Sequence, residues 1–231
     1  MNTQVDIMVI SPHADDAEFG AAGSVAAWTK CGKKVVYVIC TTGDKGTTDR
    51  LMEPSDLIVK RKTEQQNAAD ILGVQSVVFL GFPDQGLEDA DTFRKPLVKL
   101  IRQFRPHTIL TTDPYRRYFW HRDHRITGQV VMDAVYPYAR DHLSYPELLN
   151  DGLEPHKVKE VLFWGAETIN FRCDITETFD LKIAALYCHE SQMREMTHFN
   201  PAEWCRENCR KMAEKETYEL AEGFHRVILP G

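Results

Sequence analysis

Residues 5–20 read VDIMVISPHADDAEFG, and they contain the pattern that decides the fold. An apolar run, DIMVI (6–10), ends in a polar turn, and a helical pattern of small residues follows it. Near-continuous apolar residues are typical of a strand that is buried on both faces, as in a parallel sheet. The stretch therefore predicts a buried strand that carries a charged turn at its end.

The same alternation of strand and helix continues along the chain. Further apolar runs occupy 34–40, 76–80, 107–112 and 160–165. Helical patterns are centred on residues 18–31, 55–72, 90–104 and 121–138. This repetition predicts an α/β fold of Rossmann-like type, with a mostly parallel sheet covered by helices on both faces in three layers.

The C-terminal part is less regular. Helices are expected near 176–190 and 201–222, and a strand is expected at 225–229. Residues 139–158 lack periodicity and predict a long loop, which in compact domains often forms the lid or wall of a site. We expect a single domain over 1–231, with a C-terminal helix and strand in 193–231.

The composition excludes several classes of protein. The chain has 231 residues, 43% hydrophobic and 27% charged, with a net charge of −6. A net negative charge does not favour binding to nucleic acid or to an anionic membrane. The start of the chain lacks the pattern of a signal peptide, and no apolar run approaches the ~18 residues of a membrane span. We expect a cytoplasmic protein. Its six cysteines include no C-x-x-C pair and do not resemble a disulfide framework.

Polar clusters follow three of the predicted strands. They are SPHADDAEFG (11–20), TTGDKGTTDR (41–50) and DPYRRYFWHRDH (113–124). In open parallel sheets, ligands bind in the crevice outside the carboxyl ends of the strands. We therefore expect the three clusters to converge on one site.

The residue types in these clusters favour a metal-assisted hydrolytic site. His13 and Asp16 lie three apart in the first turn, and His121 and His124 can supply a further ligand. A catalytic zinc site takes three protein ligands and keeps an open position for water. Asp15 could then accept a proton from bound water, whose pKa a metal lowers from about 15.7 to about 7. The spacing leaves open which of the two later histidines binds metal.

Plainer explanations exist for each cluster alone. Asp15, Asp16 and Glu18 could cap the following helix and interact with its dipole, which leaves His13 unexplained. The stretch RRYFW (116–120) could pack its aromatic rings on the core, or form an aromatic wall with arginines that holds a sugar. Both interpretations of RRYFW stay open.

Five motifs together resemble those of one known family, the LmbE/PIG-L deacetylases. SPHADDAEFGAAGSVA is similar to the P-H-x-D-D-x-E-x-G-x-G-G signature, and HRDHR to the H-P-D-H-R element. TTGDKGT, RKTEQQNAADILGV and HESQM resemble the T-x-G-E-x-G-T loop, a family helix and a late H-x-S-Q segment. The similarity runs in the family's order from about residue 5 to 192. These enzymes are metal-dependent and remove N-acetyl groups, mostly from N-acetylglucosamine-like sugars.

The resemblance assigns expected roles to individual residues. It implies that His13, Asp16 and His124 bind Zn2+, with Fe2+ as the alternative metal. Asp15 is implied as the general base for attack of metal-bound water, and His121 as the group that stabilises the oxyanion. Asp123 and Glu18 are then expected to orient the metal ligands without binding the metal themselves. Weaker expectations for contacts with substrate fall on four residues: Arg50, Asp84, Arg117 and His189.

The predicted activity is zinc-dependent removal of an N-acetyl group from an N-acetylglucosamine-like sugar or sugar conjugate. The expected partner is this small molecule, with no nucleic acid and no membrane, and a homo-oligomer stays an open alternative. A metal-dependent amidase acting on a non-sugar N-acyl metabolite is the main rival. A dinucleotide-binding protein is disfavoured because the first turn lacks G-x-G-x-x-G. A non-catalytic binding module would not need Asp15.

Overall fold

The computed structural model describes residues 4–118 and 121–230. Its strands are β1 (Ile7–Ser11), β2 (Val35–Thr41), β3 (Ser76–Phe82), β4 (Thr108–Thr112), β5 (Glu160–Trp164), β6 (Phe171–Asp174) and β7 (Ala221–Ile228). Its helices are α1 (Asp16–Lys30), α2 (Pro54–Leu72), α3 (Asp91–Phe104), α4 (Arg122–Val135), α5 (Glu147–Asn150), α6 (Phe179–Tyr187), α7 (Glu190–Met193) and α8 (Pro201–Ala213). Within the described ranges, none of these helices combines the length and the apolar character needed to cross a membrane.

The strands form one sheet in the order β3-β2-β1-β4-β5-β7-β6. β1 pairs in parallel with β2 on one side and with β4 on the other, so Ile7 lies opposite both Val35 and Thr108. β7 is antiparallel to both of its neighbours, β5 and β6. The sheet is thus mostly parallel, as the sequence predicts.

Both faces of the sheet are covered. Met8 and Ile10 of β1 belong to a core that includes residues of α3 and α4, such as Leu97 and Val130. The alternate residues of β1 pack on the other face against small side chains of α1 and α2. Because successive side chains of a strand point to opposite faces, an unbroken apolar run such as DIMVI supplies both cores. The prediction of a three-layer α/β fold is confirmed.

The strand order determines where a site can form. α1 follows β1 onto one face, and α4 follows the neighbouring strand β4 onto the other. The connections therefore leave in opposite directions at the carboxyl ends of two adjacent strands. Such a switch point opens a crevice in doubly wound sheets.

A buried ion pair between α6 and β7 lies against the backbone of α1. The Lys182 ammonium of α6 donates to the carbonyls of Glu18 and Phe19, at 2.9 and 2.7 Å, and lies 2.7 Å from Glu222. The Glu222 carboxylate of β7 accepts from the N–H groups of Gly23 and Ser24 at 3.0 and 2.7 Å. A regular helix pairs the N–H of residue 23 with the carbonyl of residue 19. The ion pair thus satisfies backbone groups of α1 from outside the helix.

The C-terminal elements differ from the sequence prediction. The helix predicted to reach residue 222 ends at Ala213, and the strand predicted to begin at residue 225 begins at Ala221. Glu222 can be buried in this strand because Lys182 neutralises its carboxylate and N–H groups of α1 donate to it. No local sequence pattern predicts these contacts. Strand β6 was not predicted. Its four residues, FRCD, include two charges and form no apolar run.

Residues 139–158 do not form a wall of the site. They include most of a 3-10 turn (Tyr138–Arg140) and the short helix α5. The buried Arg102 guanidinium of α3 donates to carbonyls of this segment, including that of Ala139. Arg102 lies near the end of α3, just before β4 begins. The segment is therefore held at the edge where the strands start, which is the opposite edge from the crevice.

Candidate metal and active site

Two charged turns face each other across the crevice. His13 lies in the turn between β1 and α1, while His121 and His124 lie at the start of α4, directly after the loop that follows β4. The ring centroid of His13 is 4.8 Å from that of His121 and 5.3 Å from that of His124. The strand ends thus bring together the clusters that the sequence separates by more than a hundred positions.

The Asp16 carboxylate lies between two of these rings. Its Oδ2 is 2.9 Å from His13 Nδ1, and its Oδ1 is 3.1 Å from His124 Nε2. Burial raises the pKa of Asp16, but the charges and hydrogen bonds of His124 and His13 outweigh burial, so that this pKa lies well below its usual range. Asp16 is therefore a carboxylate at neutral pH, in a position to share a cation with both histidines.

The other ring nitrogen of His13 faces two further carboxylates. His13 Nε2 is 3.1 Å from Asp84 Oδ1 and 3.2 Å from Asp123 Oδ2. Asp123 also accepts from the N–H groups of Gln85 and Leu87, at 2.6 and 3.2 Å. Burial alone would lower the pKa of His13, but Asp123, Asp16 and Asp84 raise this pKa well above its usual value. Three acids thus surround one imidazole.

The donor set fits a divalent metal ion. Ring nitrogens of His13, His121 and His124 lie within 4.8 Å of one another, and the Asp16 carboxylate contacts two of these rings. Zinc and ferrous ions favour this mixture of imidazole and carboxylate. A ligating histidine must be neutral, so a cation would replace the proton that the surrounding acids favour on His13. Asp123 would then hold the far side of the ring, as outer carboxylates commonly do.

Asp15 combines backbone strain with a shifted pKa. It precedes α1 with φ 92° and ψ −29°, a left-handed conformation that is costly for a residue with a side chain. Burial and then the charge of Asp16 raise its pKa to about 6, against the opposing charges of Arg61 and His189. At pH 7 the group is therefore mostly ionised, yet it accepts a proton more readily than an ordinary aspartate.

His121 carries its hydrogen-bond donor on the ring nitrogen that the protein backbone does not contact. Its Nδ1 accepts from the N–H of Asp123 at 3.2 Å, so the neutral ring carries its hydrogen on Nε2. Burial, and then the neighbouring rings of His13 and His124, lower the pKa of His121 below its ordinary value. An exposed, neutral N–H donor beside the cluster could bind an oxygen on which negative charge develops.

Comparison with known proteins identifies the family. The model of the GlcNAc-PI de-N-acetylase (PIG-L) family matches residues 8–135, more than half of the chain. This chain belongs to the PIG-L family. The diacetylchitobiose deacetylase of Thermococcus kodakarensis is 34% identical over 189 residues, covering 82% of this chain and 70% of that protein. A probable N-acetyl-alpha-D-glucosaminyl L-malate deacetylase 2 of Bacillus cereus is 28% identical over 200 residues, covering 83% and 87%.

A solved structure agrees with this assignment. The N,N'-diacetylchitobiose deacetylase of Pyrococcus horikoshii, solved with an inhibitor, superposes with a TM-score of 0.91 at 28% identity, covering 96% of this chain and 84% of that one. The resemblance drawn from the five motifs is thus confirmed, and so is the fold that it implied.

In this PIG-L protein, a series of buried polar side chains extends inward from Asp15, the candidate general base. The N–H of Asp15 donates to Gln65 Oε1 at 3.3 Å, and Gln65 Nε2 donates to Glu18 Oε1 at 2.9 Å. Glu18 Oε2 lies 3.2 Å from His189 Nε2. Gln65, Glu18 and His189 are fully buried. His189 therefore faces Glu18 inside the protein, and the structure does not support its predicted contact with substrate.

The two arginines predicted to contact substrate lie apart from the histidine cluster. Arg50 is exposed on the loop after β2, and the Arg117 side chain is 77% exposed with Nε 3.6 Å from Glu167 Oε2. Within the described part of the chain, no contact joins either arginine to the cluster. Of the aromatic stretch at 118–120, Tyr118 is almost fully exposed, while 119–120 lie outside the described residues.

Asp84 and Arg61 show what sequence reasoning missed. Asp84 was predicted to bind a sugar hydroxyl, whereas it is buried against His13. Arg61 had no predicted role, yet it donates to the carbonyl of Ala14 at 2.8 Å and lies 3.8 Å from Asp15 Oδ2. The available signal was its spacing: Arg61 and Gln65 are four apart on α2, so both face the same turn.

Proposed function

We propose that this chain is a metal-dependent N-deacetylase that releases acetate from an N-acetylglucosamine-type sugar or sugar conjugate. The observation that carries the proposal is the convergence of His13, Asp16 and His124 beside a separate, strained carboxylate, Asp15. Metal binding alone would not require that second acid. The relatives named as deacetylases of N-acetylated sugars support the choice of substrate.

The metal would be held by His13, Asp16 and His124, with Zn2+ as the first candidate and Fe2+ as the alternative. When bound, such an ion supplies a Lewis acid that polarises the amide carbonyl and makes a nearby water more acidic. The protein contributes the orientation of the ligands. Asp123 and Asp84 fix the ring of His13 from its Nε2 side.

Asp15 would transfer the proton, and His121 would donate a hydrogen bond. Asp15 takes a proton from the attacking water, and its pKa of about 6 suits a base that works near neutrality. The Nε2–H of His121 donates to the oxygen of the tetrahedral intermediate, where charge develops. The leaving amine then recovers the proton that Asp15 took from the water, and the products are acetate and a free amino sugar.

The test separates metal binding from catalysis. Purified protein is stripped with a chelator, reloaded with Zn2+ or with Fe2+ under anaerobic conditions, and assayed for acetate release from N-acetylglucosamine and its disaccharide. Asp15→Asn should keep one metal per chain and lose at least about a thousandfold in kcat, because the base is gone while the ligands remain. Asp180→Asn is the matched control, since the Asp180 side chain is 98% exposed.

Two results would contradict the proposal. Acetate release by chelated protein at the untreated rate would remove the role of the metal. Near-wild-type activity of Asp15→Asn would remove the role of the base. Parallel assays with N-acetylated amino acids decide between a sugar deacetylase and an amidase of non-sugar metabolites.

A further inference from the structure

Helix α8 carries three sulfur-containing side chains along one face. Cys205, Cys209 and Met212 follow one another at intervals of four and three residues. Residues three and four apart in a helix are neighbours on its surface, with about 5–6 Å between their Cβ atoms. The two thiols and the thioether therefore form a row along α8, which we call the sulfur row.

The sulfur row lines a cavity of about 390 Å3 that lies between α8, α1, the end of β5 and the start of β7. All three residues of the row contribute to the wall of this cavity. Asp16 and His124 line the same cavity, so this space connects the row with the proposed metal centre. A small ion that enters the crevice can therefore reach the three sulfur atoms.

The two thiols of the row are buried and free. Cys205 is 1% exposed, Cys209 is 5% exposed, and neither forms a disulfide. In the part of the chain that the structure describes, no hydrogen bond joins either Sγ to another group. Burial raises the pKa of the Cys209 thiol to about 12 and also raises the pKa of Cys205, while the Lys182 ammonium opposes this effect at both. Both thiols are therefore protonated near neutrality, and each can become a ligand when a metal ion replaces its proton.

The thioether of Met212 is directed toward β7. A Cβ added at Gly223 would lie 2.8 Å from Met212 Sδ, so the absence of a side chain at Gly223 leaves room for this sulfur beside the strand. Gly223 lines the same cavity as the sulfur row, and Met212 is only half-buried. The Met212 sulfur thus lies against a residue of the cavity wall, where it can serve as a third ligand.

The three ligand types favour a soft metal ion. Thiolate and thioether sulfur select ions such as cuprous copper, whereas carboxylate and carbonyl oxygens suit magnesium, calcium and manganese. Structural zinc sites also use thiolates, but they take four ligands of the cysteine or histidine type. Helix α8 offers two cysteines and no histidine. The row therefore differs in chemistry from the proposed metal centre, whose imidazoles and carboxylate favour zinc or ferrous ions.

We propose that Cys205, Cys209 and Met212 form a binding site for a soft monovalent metal ion of the cuprous type. Each cysteine that binds the ion loses its thiol proton to solvent, and the oxidation states of copper and sulfur do not change. The positive charge of Lys182 favours the thiolate form of both cysteines. The site shares no ligand with the proposed metal centre, so the proposal does not depend on the proposed function.

Copper binding is measured on the full chain after incubation with zinc. Cu(I) is titrated under anaerobic conditions against bicinchoninate, a chromophoric competitor, and elemental analysis after desalting gives copper and zinc per chain. We expect the wild type to take up one copper per chain without losing zinc. The double variant Cys205→Ala with Cys209→Ala should lose this copper, because both thiolates are gone. Cys31→Ala is the matched control and should bind copper like the wild type, since Cys31 is an exposed cysteine outside the cavity.

A second variant tests the site without removing a buried thiol. Met212→Leu keeps the size of a half-buried side chain and removes only the sulfur, so the fold should be retained. We expect this variant to bind Cu(I) about tenfold more weakly, because one of the three ligands is lost. Urea denaturation confirms that each variant is folded.

Several outcomes would overturn the proposal. The wild type could take up no copper, or it could lose one zinc for each copper bound, which would assign the copper to the histidines. The double variant could keep the wild-type affinity, or Cys31→Ala could lose the copper. If the double variant fails to fold, wild-type affinity of Met212→Leu contradicts the site by itself.

Discussion

Replacing Lys182 by methionine should destabilise the fold by about 3 kcal/mol. Lys182 is 1% exposed, and its ammonium contacts two carbonyls of α1 and the Glu222 carboxylate. Removing one partner of a buried ion pair costs about 3–5 kcal/mol, because the remaining charge is left without compensation. Glu222 keeps its two N–H donors from α1, which places the expected cost at the lower end of that range.

Urea denaturation followed by circular dichroism measures this cost. With a slope of about 2 kcal/mol per molar urea, the midpoint should fall by about 1.5 M. Lys211→Met is the matched control, because Lys211 is an exposed lysine of α8, and its midpoint should stay within about 0.25 M of wild type.

A double-mutant cycle gives the decisive result. Glu222→Leu also leaves a buried charge unpaired, whereas the combined variant Lys182→Met with Glu222→Leu leaves none. The double variant should therefore be less destabilised than the sum of the single variants by about 1–3 kcal/mol. Strict additivity, or a midpoint for Lys182→Met that matches the control, would refute the assignment of Lys182 and Glu222 as a coupled pair that supports α1.

Three further predictions concern the neighbours of the site. Gln65→Leu removes the acceptor of the Asp15 N–H, so kcat should fall about tenfold with KM and bound zinc nearly unchanged; an equal rise in KM in steady-state kinetics would argue against a positioning role. Asp123→Asn should weaken zinc binding about 10–100-fold in a chelator competition assay, because the carboxylate that orients the ring of His13 is lost. Burial opposes the charged form of His189, but the adjoining buried carboxylate of Glu18 outweighs burial and raises the pKa of His189. The contact of protonated His189 with Glu18 therefore stabilises the fold fully below about pH 6.5, and this stabilisation is lost as pH rises through the raised pKa of His189. His189→Gln should cost more stability at about pH 5.5 than at about pH 9 in urea titrations, and a pH-independent cost would contradict this sign.

The central sheet was predictable because its signal is local. Strands buried on both faces, such as DIMVI at 6–10, need apolar side chains at every position, and parallel pairing requires a helix between them. The carboxyl-end rule then predicts that the three polar clusters lie at one edge of the sheet. Two features of the C-terminal part were not predicted. The strand FRCD at 171–174 lacks an apolar run, and the helical pattern of α8 does not indicate that the helix ends at Ala213.

The site was predictable only in part, because several of its contacts are set by loops. Spacing alone could not choose between His121 and His124, and the family resemblance supplied that choice. The contact of Asp84 with His13 was not predicted, because the position of Asp84 depends on a loop: the Lys45 ammonium donates to its carbonyl at 2.8 Å, and its N–H donates to Asp44 at 2.9 Å. No periodicity encodes such a contact, so the pairing of Asp84 with His13 appears only in the folded chain.

The ion pair on α1 also bears on how the protein is made. The N–H groups of Gly23 and Ser24 find their acceptor in Glu222, about two hundred positions later in the chain. At translation rates of about 5–20 residues per second, some 10–40 seconds separate the synthesis of this helix from that of its partner strand. The helix that begins at Asp16 therefore leaves the ribosome before β7, and these two N–H groups lack the Glu222 acceptor until β7 has emerged. A nascent chain lacking β7 should therefore expose an incomplete first helix to chaperones throughout that interval.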